Sequence, residues 1–380
     1  MTNIFIKVLE RKRELLEEFH SLLSDDEILY ARRDSHAFRR PRPCGLTVHT
    51  GVGCPYKCTY CYIYDMGFPD KISKYPLKPE ALIYAILLNR YFYPTKYGTL
   101  IALGSVTEPF HPVTKEYTLE CIKLISSKLG NPLQASTKAL LDEDYVRMLA
   151  SYAPYISILI SIPLYKWSRI LEPYAPKVEL RFETMKLLSD YGIHVTLFFR
   201  PIIPHASEDD LEIILDKSIE AGVRRVIFGT LRISKNILHK FREYKEIYNL
   251  IIKRIKDLSR LDSIRFIDIY IRDLKDRFSG IARSKGFKVY PSACSANLDA
   301  YHQSCALCKF GPCNTNYKPI DIDEGDIVEL MEYLELDSYY VNAIISNSKI
   351  KIIMKQYKLP NEIRDLITII SKRMVEVKRL

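Results

Sequence analysis

Between residues 45 and 233, six short runs rich in β-branched and apolar residues alternate with segments whose apolar residues recur at helical spacing. The runs are GLTVHTGV (45–52), TLIALGS (99–105), PLQASTK (132–138), ISILISIP (156–163), HVTLFFRPI (194–202) and RVIFGTLRI (225–233). The helical segments fall near 78–93, 115–129, 142–151, 178–191 and 207–221. Such alternation admits few folds, because strands separated by helices run parallel in one sheet. The expectation is an α/β protein whose six βα units form an open sheet or part of a barrel.

The flanks read differently. A helical leader (about 3–24) precedes a basic arm, ARRDSHAFRRPRP (31–43), whose prolines predict an extended path into the first strand. After the sheet come a helix (about 238–260), a strand-like run IRFIDIYIRD (264–273), a cysteine-rich stretch and a helical tail (about 324–380). The expected parts are a leader and arm at 1–43, an α/β core at 44–290, a cysteine module at 291–320 and a tail at 321–380. With 47% apolar residues in 380, the chain can bury a large core, as one domain with appendages or as two. It has no uncharged apolar run of about 18 residues. Its first residues, MTNIFIKVLERKRELLEEF, are charged where a signal peptide is apolar, so a cytoplasmic protein with no membrane partner is expected.

Nine cysteines in a reducing compartment point to metal or catalysis before disulfides. Seven fall in two groups, and the singletons Cys44 and Cys121 are expected to be structural. The first group, in GVGCPYKCTYCYIYD (51–65), spaces Cys54, Cys58 and Cys61 as C-x3-C-x2-C directly after the first strand. In parallel α/β folds the carboxyl ends of the strands carry the site. Closed zinc takes four ligands, which here would need His49 or a distant cysteine. Three thiolates suit an iron-sulfur cubane with one iron left open, able to bind a small molecule and pass it an electron.

This loop resembles the defining motif of the radical S-adenosylmethionine (radical SAM) superfamily. CTYCY (58–62), GSVTEPFHPV (104–113), STK (136–138), LEPYAPKVELRFE (171–183), FFRPIIPH (198–205) and GTLRIS (229–234) together look like its spore photoproduct lyase-like, or DNA repair photolyase-like, branch. The resemblance covers about residues 40–290 and implies a partial (β/α)6 barrel. It implies a [4Fe-4S] cluster on Cys54, Cys58 and Cys61, whose open iron is chelated by S-adenosylmethionine (SAM). An external donor then supplies the electron that yields a 5′-deoxyadenosyl radical, which abstracts hydrogen from a substrate. Gly104, Ser105, Thr107 and Glu108 fall where such proteins contact the SAM amino group. Ser136, Lys138, Ser161 and Arg200 end strands three to five, placed for the SAM carboxylate and ribose. Tyr60 and Tyr62 match tyrosines used in hydrogen-atom relay, and Glu172 and Arg181 are expected to pair. One departure stands out. The lyase resolves its product radical with a cysteine near the end of strand two, where this chain reads ALGSVTEP and Cys121 lies a helix away. Radical chemistry is therefore inferred without thymine-dimer repair.

The second group, SACSANLDAYHQSCALCKFGPCN (292–314), spaces Cys294, Cys305, Cys308 and Cys313 as C-x10-C-x2-C-x4-C. Four thiolates complete a tetrahedral set for zinc or for a fully ligated second [4Fe-4S] cluster. The stretch also resembles the C-terminal extensions of radical SAM maturases. A second cluster would accept an electron from a substrate radical, whereas zinc would staple the tail. The net charge of +10, and Arg32, Arg33, Arg39, Arg40 and Arg42 around Phe38, favour a nucleic-acid partner. The lone Trp167 is placed at the substrate mouth or in packing. Three functions follow: a radical SAM enzyme acting on a nucleic-acid base or nucleotide, a radical SAM maturase of a peptide or protein, or a non-enzymatic zinc-stapled nucleic-acid-binding protein.

Overall fold

The computed structural model describes residues 3–41, 45–262, 265–355 and 358–380, so Arg42 and Cys44 lie outside it. The six runs become β1 (Gly45–Thr47), β2 (Leu100–Leu103), β3 (Leu133–Thr137), β4 (Ser157–Ser161), β5 (His194–Ile202) and β6 (Arg225–Thr230). They lie side by side in chain order, every pair parallel. A seventh strand, β7 (Lys288–Tyr290), adds parallel to β6. At three residues it carries too little pattern to be read from sequence. Among the described residues β1 and β7 stay at opposite edges, so the partial barrel is an open seven-stranded sheet.

Side chains alternate across the sheet, as a period of two requires. In β5, Val195, Leu197 and Phe199 join the large core under the helices, while Phe198 faces the inner side. In β4, Ile158 and Ile160 do the same and Leu159 faces inward. The core helices are α3 (Pro79–Leu88), α4 (Lys115–Leu124), α5 (Glu143–Tyr152), α6 (Val178–Asp190) and α7 (Ala206–Glu220), preceded by α1 (Ile4–Ser21) and α2 (Asp25–Arg33). Every residue of α3 from Ala81 to Leu87 is buried, because α1, α2 and α4 all pack on it.

Over residues 31–37 the arm expected to be extended is instead the end of α2 followed by a 3-10 turn at Ser35–Ala37, and its last two residues lie outside the described ones. A capping box formed by Ser24 and Glu27 starts α2, and Asp34 caps the turn. Arg39 donates to the Thr47 carbonyl and Arg40 pairs with Asp365, while Phe38 is exposed. The helix expected over 238–260 breaks into Lys235–Lys240 and Lys245–Lys253 around a short turn. Among the described residues of the strand-like run 264–273, only Ile267–Asp268 pairs as a strand, with Arg232–Ile233. From Arg272 the chain is helical, α8 (Arg272–Ser284), because Leu274, Phe278 and Ala282, four apart, bury one helical face.

Two features of the C-terminal third were not predicted. Helix α9 (Ala293–Ala300) covers the inner face of the sheet: Ala296 packs with Leu159, Ile227 and Tyr290, and Leu298 with Leu100. Asp299 accepts from Lys288 and Tyr290, pinning the helix end to β7. The tail expected to be helical is a mixed unit, α10 (Glu324–Tyr333), β8 (Tyr340–Ile345), β9 (Lys349–Met354), α11 (Asn361–Ser371) and β10 (Met374–Arg379). β9 pairs antiparallel to β8 and parallel to β10. KIKIIM buries Ile350, Ile352 and Met354, a period of two rather than 3.6.

Helix α1 fastens this unit to the barrel. Phe5 and Val8 enter the C-terminal core, whereas Leu15 and Phe19 enter the large one. Phe5→Ala is therefore expected to destabilise the C-terminal unit by about 3–5 kcal/mol, read as a lower urea midpoint for that unit.

Candidate active site

A cavity of about 350 Å³ opens at the carboxyl ends of β2 to β6. Its wall includes all three cysteines of the first loop and every strand-end residue predicted from sequence: Tyr60, Tyr62, Gly104, Ser105, Thr107, Glu108, Ser136, Lys138, Ser161 and Arg200.

The cysteine loop is closed at its base by antiparallel pairing of Gly51–Val52 with Ser73–Lys74. Inside it, the Cys61 N–H donates to the Cys58 carbonyl at 2.9 Å, and Tyr64 Oη donates to the Cys54 carbonyl at 2.9 Å. Thr59 N–H reaches the Leu171 carbonyl at 2.8 Å, tying the loop to the segment after β4. Burial pushes the Cys54 thiol up to about 12 and raises Cys58 and Cys61 as well. Buried thiolates need a positive partner, which a bound metal centre supplies. His49 is no fourth ligand. It is absent from the cavity wall, its Nε2 lies 3.3 Å from Arg39 Nη1, and burial lowers its pKa to about 3.

The loop after β2 is built for close approach. Gly104 has φ +87°, and a Cβ there would collide with the Ser136 carbonyl. Ser105 Oγ and Thr107 Oγ1 are buried with no hydrogen-bond partner among the described residues. Glu108 is differently employed: its carboxylate accepts from the Thr137 hydroxyl at 2.5 Å, Lys138 N–H at 2.9 Å and Phe110 N–H at 3.3 Å. It therefore braces the loop against β3.

Beneath the cysteines lies a buried charge cluster. Tyr60 donates its hydroxyl to Glu172, which pairs with Arg181 at 2.6 Å and lies 3.7 Å from Lys138 Nζ. Arg181 also donates to the Pro176 carbonyl at 2.8 Å. The expected Glu172–Arg181 pair is present, but it also positions Tyr60, which the sequence did not disclose. Tyr62 is held separately, its hydroxyl donating to the Ser105 carbonyl at 3.1 Å.

At the mouth, Arg200 runs across Gly229, where any Cβ would strike the arginine stem. Its guanidinium lies 6.0 Å from the Phe198 ring centroid, and no carboxylate pairs with it among the described residues. Arg232 stands over Tyr62 (5.9 Å) and Phe266 (5.5 Å) and lies 3.8 Å from Asp268. Arg232 was quoted within GTLRIS but not singled out, and Gln134, Thr137 and Ala293 also line the wall unforeseen. Trp167 is not in the wall; it packs edge-on to His205 and Tyr244.

The Radical SAM superfamily model matches residues 48–218, from the end of β1 through most of α7. Residues 48–218 carry a radical SAM domain. Uncharacterized protein ORF301 of Acidianus two-tailed virus is 24% identical over 207 residues, covering 49% of this chain and 67% of that protein. Uncharacterized protein MJ0683 of Methanocaldococcus jannaschii is 24% identical over 226 residues, 56% of this chain and 82% of that one. Among solved structures, a spore photoproduct lyase mutant with dinucleoside spore photoproduct superposes with a TM-score of 0.50 at 14% identity, covering 72% of this chain and 90% of that one. That likeness concerns the fold. The protein is an enzyme of the radical SAM class, which sets aside the non-enzymatic reading.

The radical SAM cavity suits the cofactors of its superfamily. Three buried thiols lie in one wall, and two orphaned hydroxyl oxygens on the adjacent loop can accept from an ammonium. Cys121 is buried within α4 and outside that wall, and no cysteine beyond Cys54, Cys58 and Cys61 lines it among the described residues. Cys294, Cys305, Cys308 and Cys313 gather elsewhere, although Ala293, next to Cys294, belongs to the radical SAM cavity. The Gln134 amide donates to the Ala293 carbonyl at 2.9 Å. No helix among the described residues is long and apolar enough to cross a membrane.

Proposed function

We propose that this radical SAM enzyme abstracts hydrogen from a nucleic-acid base or nucleotide presented at the cavity mouth. The observation that carries the reading is the mouth itself. Arg200 has no carboxylate partner among the described residues and Arg232 lies over two rings, so phosphate and base have receptors beside the cysteine loop. The spore photoproduct lyase of matching fold holds a dinucleoside photoproduct, which agrees with a nucleic-acid fragment as occupant.

In this reading Cys54, Cys58 and Cys61 hold a [4Fe-4S] cluster. When bound, that cluster supplies an electron, received from an external donor, to cleave SAM into methionine and a 5′-deoxyadenosyl radical. Ser105 and Thr107 accept from the SAM ammonium, and Gly104 permits the approach. Glu108 holds their loop in place, while Ser136, Lys138 and Ser161 present polar groups to the carboxylate and ribose. Arg200 is shared between SAM carboxylate and substrate phosphate. Tyr60 and Tyr62 stand as hydrogen-atom relays, Tyr60 oriented by Glu172 and Tyr62 by the Ser105 carbonyl. Without another thiol in the wall, the reading stops at the base or nucleotide and does not extend to dimer repair. Cys294, Cys305, Cys308 and Cys313 take a second [4Fe-4S] cluster or zinc.

The test is fluorescence anisotropy of a labelled single-stranded oligonucleotide across a salt series, with 5′-deoxyadenosine formation measured in parallel. Binding is expected to weaken as salt rises, and Arg232→Gln to reduce the log–log slope by about 1. Salt-insensitive binding, together with stimulation by peptides but not oligonucleotides, would transfer the protein to the maturase class.

A further inference from the structure

Helix α9, the knuckle that follows it and the C-terminal unit meet at the second cysteine group. Cys294 is the second residue of α9, with Ser292 Oγ 3.1 Å from its sulfur, and with Cys305 and Leu307 it packs on Leu100 and Leu298. Cys305 and Cys313 form an antiparallel bridge, each N–H reaching the other's carbonyl, at 3.1 and 2.7 Å. Gly311 N–H closes the turn on the Cys308 carbonyl at 2.9 Å.

The C-terminal unit reaches into this cluster through one residue. Lys372 ends α11 in a left-handed conformation, φ +55°, and is 5% exposed. Its ammonium donates to the carbonyls of Ile369 (2.7 Å), Tyr97 (2.7 Å) and Gly98 (3.0 Å), the last two on the loop before β2. Its own carbonyl accepts the Ala306 N–H at 2.8 Å, between Cys305 and Cys308. The next residue, Arg373, is also buried, and its Nε and Nη1 have no hydrogen-bond partner among the described residues. Four thiols suit a centre whose bound form is anionic, as four thiolates on zinc or on a cubane are. The thiols are gathered without being closed on a point. Among the described residues no three Cys, His, Asp or Glu side chains are arranged to hold a single ion. The knuckle that carries these thiols also carries the Ala306–Lys372 contact.

We propose that Cys294, Cys305, Cys308 and Cys313 form a thiolate metal centre whose occupancy docks the C-terminal unit against the barrel. This rests on the reading that the four cysteines bind metal. The centre also governs the Ala293 wall of the SAM cavity, since Cys294 follows Ala293 and Gln134 holds its carbonyl. Lys372 is the positioning residue that couples the two units.

The experiment compares full-length protein, purified anaerobically, with Cys308→Ser and Lys372→Met. Iron, zinc and sulfide are counted, and amide hydrogen exchange is followed over 293–313 and 361–380, with β3 and β4 as internal reference. The SAM-perturbed resonance of the first cluster shows whether each variant keeps its active site. Wild type is expected to carry metal beyond that of the first site. Cys308→Ser should lose it, with exchange over 361–380 quickening roughly tenfold or more while β3 and β4 stay protected. Lys372→Met should keep the metal and lose the protection. If Cys308→Ser loses metal with exchange unchanged, the docking role is overturned and the metal site stands. If wild type holds no metal at these cysteines, the underlying reading itself is overturned. Sulfide accompanying the extra iron identifies a cluster, and zinc without it a staple.

Discussion

Replacing Cys54, Cys58 and Cys61 with alanine is expected to abolish SAM cleavage, reducing 5′-deoxyadenosine to the background of the reductant alone. The three thiols share one wall with the loop after β2, and no other cysteine lines that wall among the described residues. His49 offers no substitute, being buried beside Arg39 and outside the wall. If both cysteine groups hold cubanes, iron should fall from about eight per chain to about four, with loss of the SAM-sensitive resonance. A variant lacking Cys294, Cys305, Cys308 and Cys313 should lose a similar amount of iron yet keep that resonance. Undiminished 5′-deoxyadenosine in the first variant would remove Cys54, Cys58 and Cys61 from the chemistry. Both variants belong in one preparation series, so that reconstitution efficiency cannot mimic the difference.

The second large effect is on stability. Glu172 and Arg181 are 0% and 1% exposed and lie 2.6 Å apart, so Glu172→Ala strands a buried guanidinium. Breaking a buried pair by removing one partner costs about 3–5 kcal/mol. The loss should appear as a lower urea midpoint with little change in slope. A Glu172→Met/Arg181→Met double variant should recover part of it, since the stranded guanidinium is gone and only Lys138 is left without its carboxylate. Equal losses in the single and double variants would show that packing, not charge, sets the cost. Tyr60 adds a second readout, because its hydroxyl donates to Glu172. The double variant should regain stability without regaining the orientation of Tyr60, separating fold from catalysis.

The pH dependence of this pair has a definite sign. Burial alone would raise the Glu172 carboxyl, but the charges of Arg181 and Lys138 and the hydrogen bonds from Tyr60 and Arg181 outweigh it and hold it below its usual 4.5. A carboxyl depressed in the folded state stabilises the protein above its unfolded pKa, and the contribution fades as pH falls through the folded value. The stability gap between wild type and Glu172→Gln should therefore be full at neutral pH and shrink in acid.

The six strands of the βα units and the cysteine loop were legible because their signals are local. A run such as SILIS is buried along its whole length and bounded by turns, and C-x3-C-x2-C needs no partner elsewhere to be noticed. The strand-end candidates from Gly104 to Arg200 came from the resemblance to radical SAM proteins, and they converge because in a parallel sheet the carboxyl ends share one face. The misreadings share a cause. β7 has three residues and gains meaning only beside β6. KIKIIM was swept into a helical tail, although Ile350, Ile352 and Met354 face one core only in a strand. At Arg272–Ser284, helical burial of Leu274 and Phe278 overrode the β-like residues before them.

What this chain's sequence determined by itself is the order of its βα units and the placing of three thiols on the loop after the first strand. Short-range periodicity and spacing are written into consecutive residues. Tertiary structure alone decided which distant groups meet. Tyr60 finds Glu172 112 positions away, and Lys372 reaches the carbonyl of Tyr97 across 275. Arg200 lies along β6 because Gly229 leaves room for it. Helix α9 covers the inside of the sheet because that face still had apolar residues to bury. Contacts between segments remote in sequence depend on how the whole core packs, and no local pattern encodes that.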